Sequence, residues 1–348
     1  EKSRMRTIIY CMADGVLVIN LKGEMVLYNP AASRILGIAN DPATGKNLRE
    51  LIANRAVVEL LESQLTSINS NLTSFYKEVI LPDKAVIRVH IAPVKGDSGE
   101  PLGLVTVFQD ISQLKALEQM KSDFVAMVCH QLRSPLSTIG QQLTAILSQV
   151  VEKEKEKEML MRAKERIKDL ISLINNLLDI SKIEAGLVIQ HKESLEISEI
   201  IKKVIDLIRP LAEKKNISLE VFIDPKLPSI DGDRNCIEEV FVNLLSNAMN
   251  YTPERGRVIM EAKKEGECLR INVADTGIGI SKEDIPKIFD KFYRIRTDQT
   301  KKIGGTGLGL PIVKGIIDAH LGSIHVESEP GKGTVFTVFL PESIKPNP

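Results

Sequence analysis

Apolar residues in the first 110 positions come in short runs that alternate with polar residues, a pattern typical of half-buried strands. GVLVIN (15–20) and GEMVLYN (23–29) are separated by two residues, which predicts a β-hairpin followed by a helix. AVIRVHIAPV (85–94) and LGLVTVFQ (102–109) flank a polar turn and predict two further strands. The alternation in the third run predicts one buried and one solvated face. We therefore expect a small α/β domain here.

The pattern becomes helical between residues 111 and 186. Apolar residues recur in steps of three and four, which predicts a long amphipathic helix. A charged patch, EKEKEKE (152–158), is expected to interrupt it, and a second periodic run follows. The apolar seam consists of Leu117, Met120, Phe124, Val128, Leu132, Leu136, Ile139, Leu143, Ile146 and Val150, and the second run of Ile167, Leu170, Ile174, Leu177 and Leu178.

Two long helices with a short polar connection predict an antiparallel hairpin. The chain offers this long apolar seam no other partner of equal length. We therefore expect two copies of the chain to pair into a dimeric four-helix bundle, in which each seam covers the other.

Residues 187–348 combine strand-like runs, helices and several glycine motifs, which predicts a layered sheet-and-helix domain. A helix is predicted over 238–252, with Val240, Phe241, Leu244, Leu245 and Ala248 on its apolar face. The predicted strands cover 217–223, 258–262, 268–275 and 334–340.

Composition narrows the functional classes. A length of 348 residues suggests about two to three domains, and 46 basic against 46 acidic residues give no whole-chain attraction to nucleic acid. No run reaches the roughly 18 apolar residues of a membrane helix. Four scattered cysteines favour a reduced, cytoplasmic compartment. Because the chain starts at Glu1 without a methionine, we expect a fragment, and a membrane anchor upstream is compatible with it.

The predicted helix over 238–252 carries polar residues opposite its apolar face, namely Glu239, Asn243, Asn247 and Asn250. Two amides one turn apart can offer oxygen ligands to a hard cation such as Mg²⁺ without adding charge. A solvated polar stripe explains the same pattern equally well, so the helix alone leaves both interpretations open.

Two glycine motifs follow this helix. In DTGIGI (275–280) a carboxylate at a strand end can accept a hydrogen bond from an exocyclic amine, and the glycines permit close approach of a ligand. In GGTGLGLPIVKGII (304–317) a glycine loop precedes a helix whose first N–H groups can bind phosphate. This loop lacks the preceding strand and the later acidic residue of a dinucleotide fingerprint, and the chain contains no GxxxxGK[ST] loop.

In order and spacing, N-x-x-x-N-A, D-x-G-x-G, IFDKFYR (288–294) and G-T-G-L-G-L resemble the ATP-binding domain of sensor histidine kinases. The resemblance implies a Bergerat-type fold, a mixed sheet layered on helices, that binds ATP and Mg²⁺. It implies Asn247 as the principal Mg²⁺ ligand with Asn243 beside it, and Arg294 as the cation at the γ-phosphate. The implied nucleotide-binding residues are Asn243, Asn247, Tyr251 against the adenine, Asp275 on its amino group, Gly277 and Gly279 in the pocket, Tyr293, and Gly305, Thr306, Gly307, Leu308 and Gly309 in a phosphate-covering lid.

FVAMVCHQLRSPLSTI (124–139) resembles the phosphoacceptor box of the same family, with His130 as the acceptor. A single helical histidine is more often an exposed residue without a catalytic role, but the ATP motifs downstream favour the acceptor. Pro135 leaves the carbonyl of Gln131 without its helical partner, which predicts a looser helix beside His130. LLDISKIEAG (177–186) resembles the family's second bundle helix, ending at a glycine.

Three positions depart from the family's usual pattern. Gln131 stands where the family usually has Glu or Asp, and an amide cannot act as a base. Ser134 stands where Thr or Asn often serves in dephosphorylating the partner, and it keeps a hydroxyl. Asn250 replaces a lysine that neutralises phosphate charge, a role that Lys301 or Lys302 could take.

VINLKGEMVLYNPAASRILGI (18–38) and VFQDIS (107–112) resemble a PAS sensor domain. The pattern is compatible with a bound small ligand of unknown identity and equally with a domain that only relays dimer geometry. A haem-ligating role for His90 fits its place on the polar face of a strand less well than a surface role.

The resemblance covers essentially the whole chain and implies a multidomain α+β protein. It contains a PAS domain (1–110), a dimerisation and phosphotransfer helical hairpin (111–186) and an ATP-binding α/β sandwich (187–348). The implied function is that of a sensor histidine kinase, with His130, Gln131, Ser134 and Arg294 as catalytic residues. Mg-ATP phosphorylates the histidine, and the phosphoryl group passes to an aspartate of a response regulator, with a further phosphatase activity toward that regulator.

Two alternatives come from other functional classes. An ATP-hydrolysing conformational machine on the same fold is disfavoured, because it needs a glutamate four residues before the metal-binding asparagine to activate water, and this chain has Asn243 there. A signalling scaffold, or a phosphatase-dominant relative with weak autokinase activity, is motivated by Gln131 and Asn250.

Overall fold

The computed structural model describes residues 2–38, 44–68, 74–82, 84–148, 152–295, 297, 300 and 304–342. The chain divides into two compact units, Glu1–Ser134 and Pro135–Pro348. The boundary falls inside one long helix, and each unit is described by itself.

The first unit is built on a five-stranded antiparallel sheet. Its elements are α1 Lys2–Cys11, β1 Gly15–Asn20, β2 Met25–Tyr28, α2 Pro30–Leu36, α3 Leu48–Leu51, α4 Arg55–Thr66, β3 Phe75–Ile80, β4 Val86–Lys95 and β5 Pro101–Asp110. The strand order is β2-β1-β5-β4-β3. The β1–β2 and β4–β5 hairpins confirm the predicted pairs, whereas β3, α3 and α4 had no clear signal in the sequence.

Strand β4 shows the predicted alternation of buried and solvated residues. Ile87, Val89 and Ile91 are buried in the core of the unit. His90 is exposed and stacks on Tyr76, with ring centroids 5.5 Å apart. This position agrees with a surface role for His90.

The buried side chain of Asn29 joins three parts of this unit. Its Oδ1 accepts hydrogen bonds from the N–H groups of Val16 and Ala32, each at 2.9 Å, and the second of these caps α2. Its Nδ2 donates to the carbonyls of Ile9 and Asp14 at 3.0 and 2.8 Å. These bonds replace the hydration that the amide loses on burial, so the polar group is compatible with an apolar core.

Two long helices follow, α5 (Ser112–Leu147) and α6 (Lys153–Glu184), as predicted. Gly186, with φ of +69°, lies just beyond α6 and confirms the glycine stop. The predicted interruption lies before the charged patch rather than over 152–158, because α5 ends at Leu147 and α6 already begins at Lys153. Lys and Glu are good helix formers, and Lys155 pairs with Glu152 at 2.8 Å, so the charged patch forms the start of the helix.

Much of the predicted apolar seam on α5 is exposed. Leu117, Met120 and Leu136 keep 69%, 67% and 54% of their surface exposed, whereas Ile139 keeps only 8%. Large apolar side chains in water favour association with another apolar surface. The seam therefore presents a face for a partner.

The second unit continues after α6 with a mixed sheet and its helices. Its elements are β6 Glu193–Leu195, α7 Ile197–Lys214, β7 Ser218–Ile223, β8 Ile230–Gly232, α8 Arg234–Tyr251, β9 Arg257–Glu265, β10 Cys268–Asp275, α9 Gly309–Ala319, β11 Ser323–Glu329 and β12 Gly333–Pro341. The five-stranded sheet has the order β11-β12-β10-β9-β7, and its β7–β9 pair is parallel. Helices α7, α8 and α9 pack on it, which confirms the predicted layers and strands. Strand β11 had no clear signal, because most of its residues are polar.

Asp233 and His320 fix the start of α8. Asp233 Oδ1 accepts a hydrogen bond from the N–H of Asn235 at 3.0 Å and caps the helix. Its Oδ2 accepts from the N–H groups of Gln190 and His191 at 3.2 and 3.0 Å. Its own N–H donates to Nε2 of the buried His320 at 3.1 Å. Burial opposes ionisation of Asp233, but these backbone hydrogen bonds outweigh it and hold its pKa below the ordinary value.

Glu239 is a half-buried carboxyl on the polar side of α8. Burial, followed by repulsion from Asp179 of α6, raises the pKa of Glu239 to about 7, and Lys182 opposes this shift. Lys182 is itself paired with Asp179, with Nζ 3.1 Å from Oδ1. Glu239 therefore holds a proton to nearly neutral pH.

We predict that Glu239→Gln stabilises the protein at about pH 8 and has a much smaller stabilising effect at about pH 5. The ordinary pKa of this carboxyl is 4.5, so the folded state binds the proton more tightly than the unfolded state. The stability that Glu239 contributes is present below about pH 4.5 and is lost as pH rises through about 7. The measurement is the thermal unfolding midpoint at both pH values. The control is Glu238→Gln, which removes an ion pair with Lys203 at 2.8 Å and should not stabilise at either pH. An equal gain at both pH values would contradict the prediction.

Candidate nucleotide site

Helix α8 carries three of the predicted site residues on one face. Asn243, Asn247 and Tyr251 are spaced by four and are half-buried, while the opposite face is buried in the unit. Asn243 Nδ2 donates to the carbonyl of Glu239 at 3.1 Å, which leaves Oδ1 to face elsewhere. A Cβ built on Gly309 would lie 2.8 Å from this Oδ1, so the amide oxygen lies against the glycine loop. An amide oxygen held in this way fits a Mg²⁺ ligand.

Asp275 ends strand β10 and enters the turn that packs on the end of α8. Its Oδ1 accepts a hydrogen bond from the N–H of Gly277 at 2.8 Å. Burial raises the pKa of Asp275, against the effect of hydrogen bonds from the N–H groups of Gly277 and Thr334. The N–H of Ile278 donates to the carbonyl of Tyr251 at 3.3 Å. The structure thus brings Asp275 and Tyr251 together, and a carboxylate at this turn suits an exocyclic amine.

The turn after Asp275 requires glycine at two positions. A Cβ on Gly277 would lie 2.6 Å from the carbonyl oxygen of Tyr251. Gly279 has φ of +68°, and a Cβ there would overlap the carbonyl of Glu329. Only glycine allows both close approaches, which explains the D-x-G-x-G pattern.

The glycine loop leads directly into α9. The carbonyl of Gly307, a residue with φ of +74°, accepts a hydrogen bond from the N–H of Phe292 at 2.9 Å. Leu308 is fully buried, and Gly309 begins the helix. The first N–H groups of a helix have no partner within it and carry the positive end of its dipole. This end of α9 therefore suits a phosphate.

Tyr293 and Arg294 are adjacent and have different partners. Arg294 Nη1 donates to the carbonyl of Gly305 at 2.7 Å, which places the guanidinium against the glycine loop. The Tyr293 hydroxyl donates to Asp284 Oδ1 at 2.6 Å. This bond raises the pKa of Tyr293 and, together with a bond from Ser281, lowers the pKa of Asp284. The hydroxyl of Tyr293 is thus engaged within the protein, so a contact with nucleotide would use its ring.

Helix α6 also contacts the glycine loop. The Oγ1 atom of Thr306 accepts hydrogen bonds from Asn176 Nδ2 at 3.2 Å and from the N–H of Leu308 at 3.3 Å. Nearby, a Cβ on Gly315 of α9 would lie 2.6 Å from Ile183 Cγ2. The sequence did not predict a role for Asn176, because its partner Thr306 is 130 residues away and no local pattern indicates such a contact.

Lys215 is a second residue that sequence reasoning missed. Its Nζ donates to the carbonyls of Met249 and Asn250 at the end of α8, at 2.7 and 3.3 Å. An ammonium group is favourable at a helix C-terminus, because it offsets the negative end of the dipole. The ammonium group thus lies beside the backbone of Asn250, the residue that stands where the family's usual pattern has a lysine. Lys301 and Lys302, the predicted substitutes, lie outside the described residues.

The predicted phosphoacceptor box lies on α5. His130 and Ser134 are exposed, and Gln131 is half-exposed. The helix continues through Pro135, so the predicted loosening does not interrupt it. An exposed imidazole on a helix is accessible to an incoming phosphoryl donor.

No group of three or more His, Cys, Asp or Glu side chains within the described ranges could hold a metal ion. In the same part of the chain, no helix combines the length and the apolar character needed to cross a membrane.

Family profiles match three successive parts of the chain. Residues 3–111 match the PAS fold, and residues 120–186 match the His Kinase A phospho-acceptor domain. Residues 232–344 match the histidine kinase-, DNA gyrase B- and HSP90-like ATPases. The last match supports ATP as the nucleotide of the site.

Two relatives with similar sequences are sensor kinases. Sensor histidine kinase WalK of Bacillus subtilis is 32% identical over 348 residues, which cover 98% of this chain and 56% of that protein. Sensor protein kinase WalK of Staphylococcus aureus is 30% identical over 345 residues, which cover 98% of this chain and 81% of that protein. The chain therefore spans little more than half the length of the first of these relatives.

Solved structures share the fold at lower identity. Histidine kinase ThkA, in complex with the response regulator protein TrrA, has a TM-score of 0.53 and 21% identity, and the match covers 94% of this chain and 96% of that one. The Acinetobacter baumannii histidine kinase AdeS has a TM-score of 0.52 and 22% identity, over 62% of this chain and 98% of that one. The three profiles, their order and the WalK relatives show that the chain belongs to the sensor histidine kinases of two-component systems.

Proposed function

We propose that this protein is a histidine kinase that transfers the γ-phosphoryl group of ATP to His130 and then to an aspartate of a response regulator. The observation that carries the proposal is the assembly of Asn243, Asp275 and the glycine loop before α9 in one unit. The same chain presents an exposed histidine on α5. The regulator is proposed because the similar ThkA structure contains one.

Each part of the nucleotide has a proposed partner. Asp275 accepts a hydrogen bond from the adenine amino group, with Tyr251 against the ring. The glycine loop and the N-terminus of α9 bind the phosphates. Asn247 and Asn243 hold Mg²⁺, which when bound supplies positive charge to the phosphate oxygens. Arg294 lies against the loop and adds a second positive charge near the γ-phosphate.

The transfer breaks the bond between the γ-phosphorus and its bridging oxygen and forms a bond between that phosphorus and one ring nitrogen of His130. ADP leaves with the electron pair of the broken bond. Gln131 can orient the ring through its carbonyl oxygen but cannot accept the ring proton, which leaves to water or to the phosphate. The phosphoryl group then passes to the regulator, and the Ser134 hydroxyl is the proposed group for removing it from there.

We also propose the boundaries 1–110, 111–186 and 187–348 for the three domains, and a homodimer through 111–186. The dimer is supported by the match to the phospho-acceptor domain and by the exposed seam of α5. In the dimer, the seams of two copies cover each other.

For the dimer, we predict that Leu117→Glu together with Met120→Glu raises the dimer dissociation constant at least about tenfold. Each buried side chain of this size contributes roughly 1.5–3 kcal/mol, and the substitutions place charge in the seam. The measurement is sedimentation equilibrium, with Ser122→Glu, at an exposed position on the side of α5 opposite the seam, as the control. A wild-type mass that stays monomeric at every concentration would refute the dimer.

For the nucleotide site, we predict that Asp275→Asn weakens ATP binding about 10- to 100-fold. A hydrogen bond to a charged group contributes roughly 1.5–3 kcal/mol, and the variant loses that charge. The measurement is titration calorimetry with Mg-ATP. Asp290→Asn, at an exposed position, is the matched control and should bind like wild type. Unchanged affinity of Asp275→Asn would mean that the adenine lies elsewhere.

For the phosphoacceptor, we predict weak autophosphorylation with acid-labile, base-stable phosphate, abolished by His130→Ala. Gln131→Glu should phosphorylate faster, by up to about 10²-fold, because Glu adds a general base without changing shape. The measurement is the initial rate with labelled ATP at saturation, with Gln141→Glu on the same helix as the control. An equal or slower rate for Gln131→Glu would show that the proton goes elsewhere.

The same assay addresses the alternative of a scaffold or phosphatase-dominant protein, which Gln131 motivates. That alternative expects no label on His130 in the wild-type protein. The similarity to kinases along nearly the whole chain favours the kinase.

A further inference from the structure

The hydroxyl of Thr306 is oriented by two hydrogen-bond donors. Asn176 Nδ2 lies 3.2 Å from its Oγ1, and the N–H of Leu308 lies 3.3 Å from the same atom. A hydroxyl oxygen has two acceptor sites and one hydrogen to donate. Because both donors are N–H groups, they fill the acceptor sites, and the hydrogen must point toward a different group.

Thr306 stands between two glycines, three residues before the first residue of α9. That helix end offers N–H groups and a positive dipole to an anion. A hydroxyl hydrogen directed from this loop therefore suits a phosphate oxygen.

We propose that Asn176 of α6 is a positioning residue of the nucleotide site, which holds the Thr306 hydroxyl so that it donates to a phosphate oxygen of ATP. The inference rests on the proposed nucleotide site and extends it to a helix outside the residues that match the ATPase profile. Asn176 acts through Thr306 and does not itself touch the nucleotide.

Neighbouring contacts hold Asn176 in reach of the loop. Ile183, seven residues further along α6, packs so closely on α9 that only a glycine fits at position 315. Glu184 of α6 forms an ion pair with Lys291. Since the Asn176–Thr306 bond favours both ATP binding and the packing of α6, each of the two events strengthens the other.

The test begins with Asn176→Leu, which keeps the size of the side chain and removes the N–H donor. We expect the Kd and the KM for ATP to rise about three- to tenfold, the range of one neutral hydrogen bond, while kcat changes less than about twofold. The matched control is Asn175→Leu, the same residue type at the neighbouring exposed position, which should bind ATP like wild type.

Two polar variants report on the orientation of the hydroxyl. Asn176→Asp should bind ATP more weakly than Asn176→Leu, because a carboxylate accepts the Thr306 hydrogen and turns it away from the phosphate. Asn176→Gln keeps an N–H donor and should recover part of the affinity. These variants keep a polar side chain at position 176 and carry the test even if the leucine variant folds poorly.

A double-mutant cycle separates positioning from a merely structural role. In a Thr306→Val background, Asn176→Leu should have no further effect on ATP affinity, since the hydroxyl that it orients is gone. The same loss in both backgrounds, or wild-type affinity for Asn176→Leu and Asn176→Asp, overturns the inference. Asp275→Asn, measured in parallel, tests the nucleotide site separately. If this variant weakens ATP binding, the proposed nucleotide site is retained although the role of Asn176 is refuted. If it binds ATP like wild type, the proposed nucleotide site is refuted as well.

Discussion

The nucleotide site depends on the placement of α8, and the buried side chain of His320 helps to fix the start of that helix. Nε2 of His320 must be unprotonated to accept the N–H of Asp233, and its Nδ1 donates to the carbonyl of Ile316 at 2.7 Å. A Cβ on Gly232 would lie 2.6 Å from the imidazole, so β8 passes directly against the ring. Because Asp233 also caps α8, the strand, both helices and the preceding loop meet at one point. The start of α8 is thereby held in place, and with it the asparagines further along the helix.

Beyond the start of α8, the site is formed largely by backbone segments that approach each other closely. Gly277 and Gly279 let the turn after β10 pack on α8 and on the segment after β11, and Gly307 gives the loop before α9 its left-handed turn. The side chains proposed to hold Mg²⁺ are the neutral amides of Asn243 and Asn247, and Arg294 lies against the loop as a cation. Such a site suits a highly charged ligand that brings its own counter-ion, because it adds little negative charge of its own.

Helix α5 combines an exposed histidine with an exposed apolar seam. Phosphoryl transfer depends mainly on positioning and on neutralising charge, so the acceptor must be accessible while its helix is held firmly. Covering the seam with a second copy would hold the helix and leave His130 exposed. The continuity of α5 through Pro135 fits this picture, because neighbouring turns can maintain a helix that lacks one hydrogen bond.

The sequence by itself determined the elements with a strong apolar period, such as β4 and α8, and the glycine motifs of the site. Local patterns failed at β3 and β11, since both lie at sheet edges, where β3 is mostly exposed and β11 is mostly polar. They also misplaced the connection at 152–158, where helix propensity and ion pairing prevailed. Tertiary structure alone decided that Asn176 meets Thr306 and that Asp233 meets His320, pairs separated by 130 and 87 residues. A periodic pattern records which face of an element is buried, whereas the partner on that face is chosen only when the elements pack.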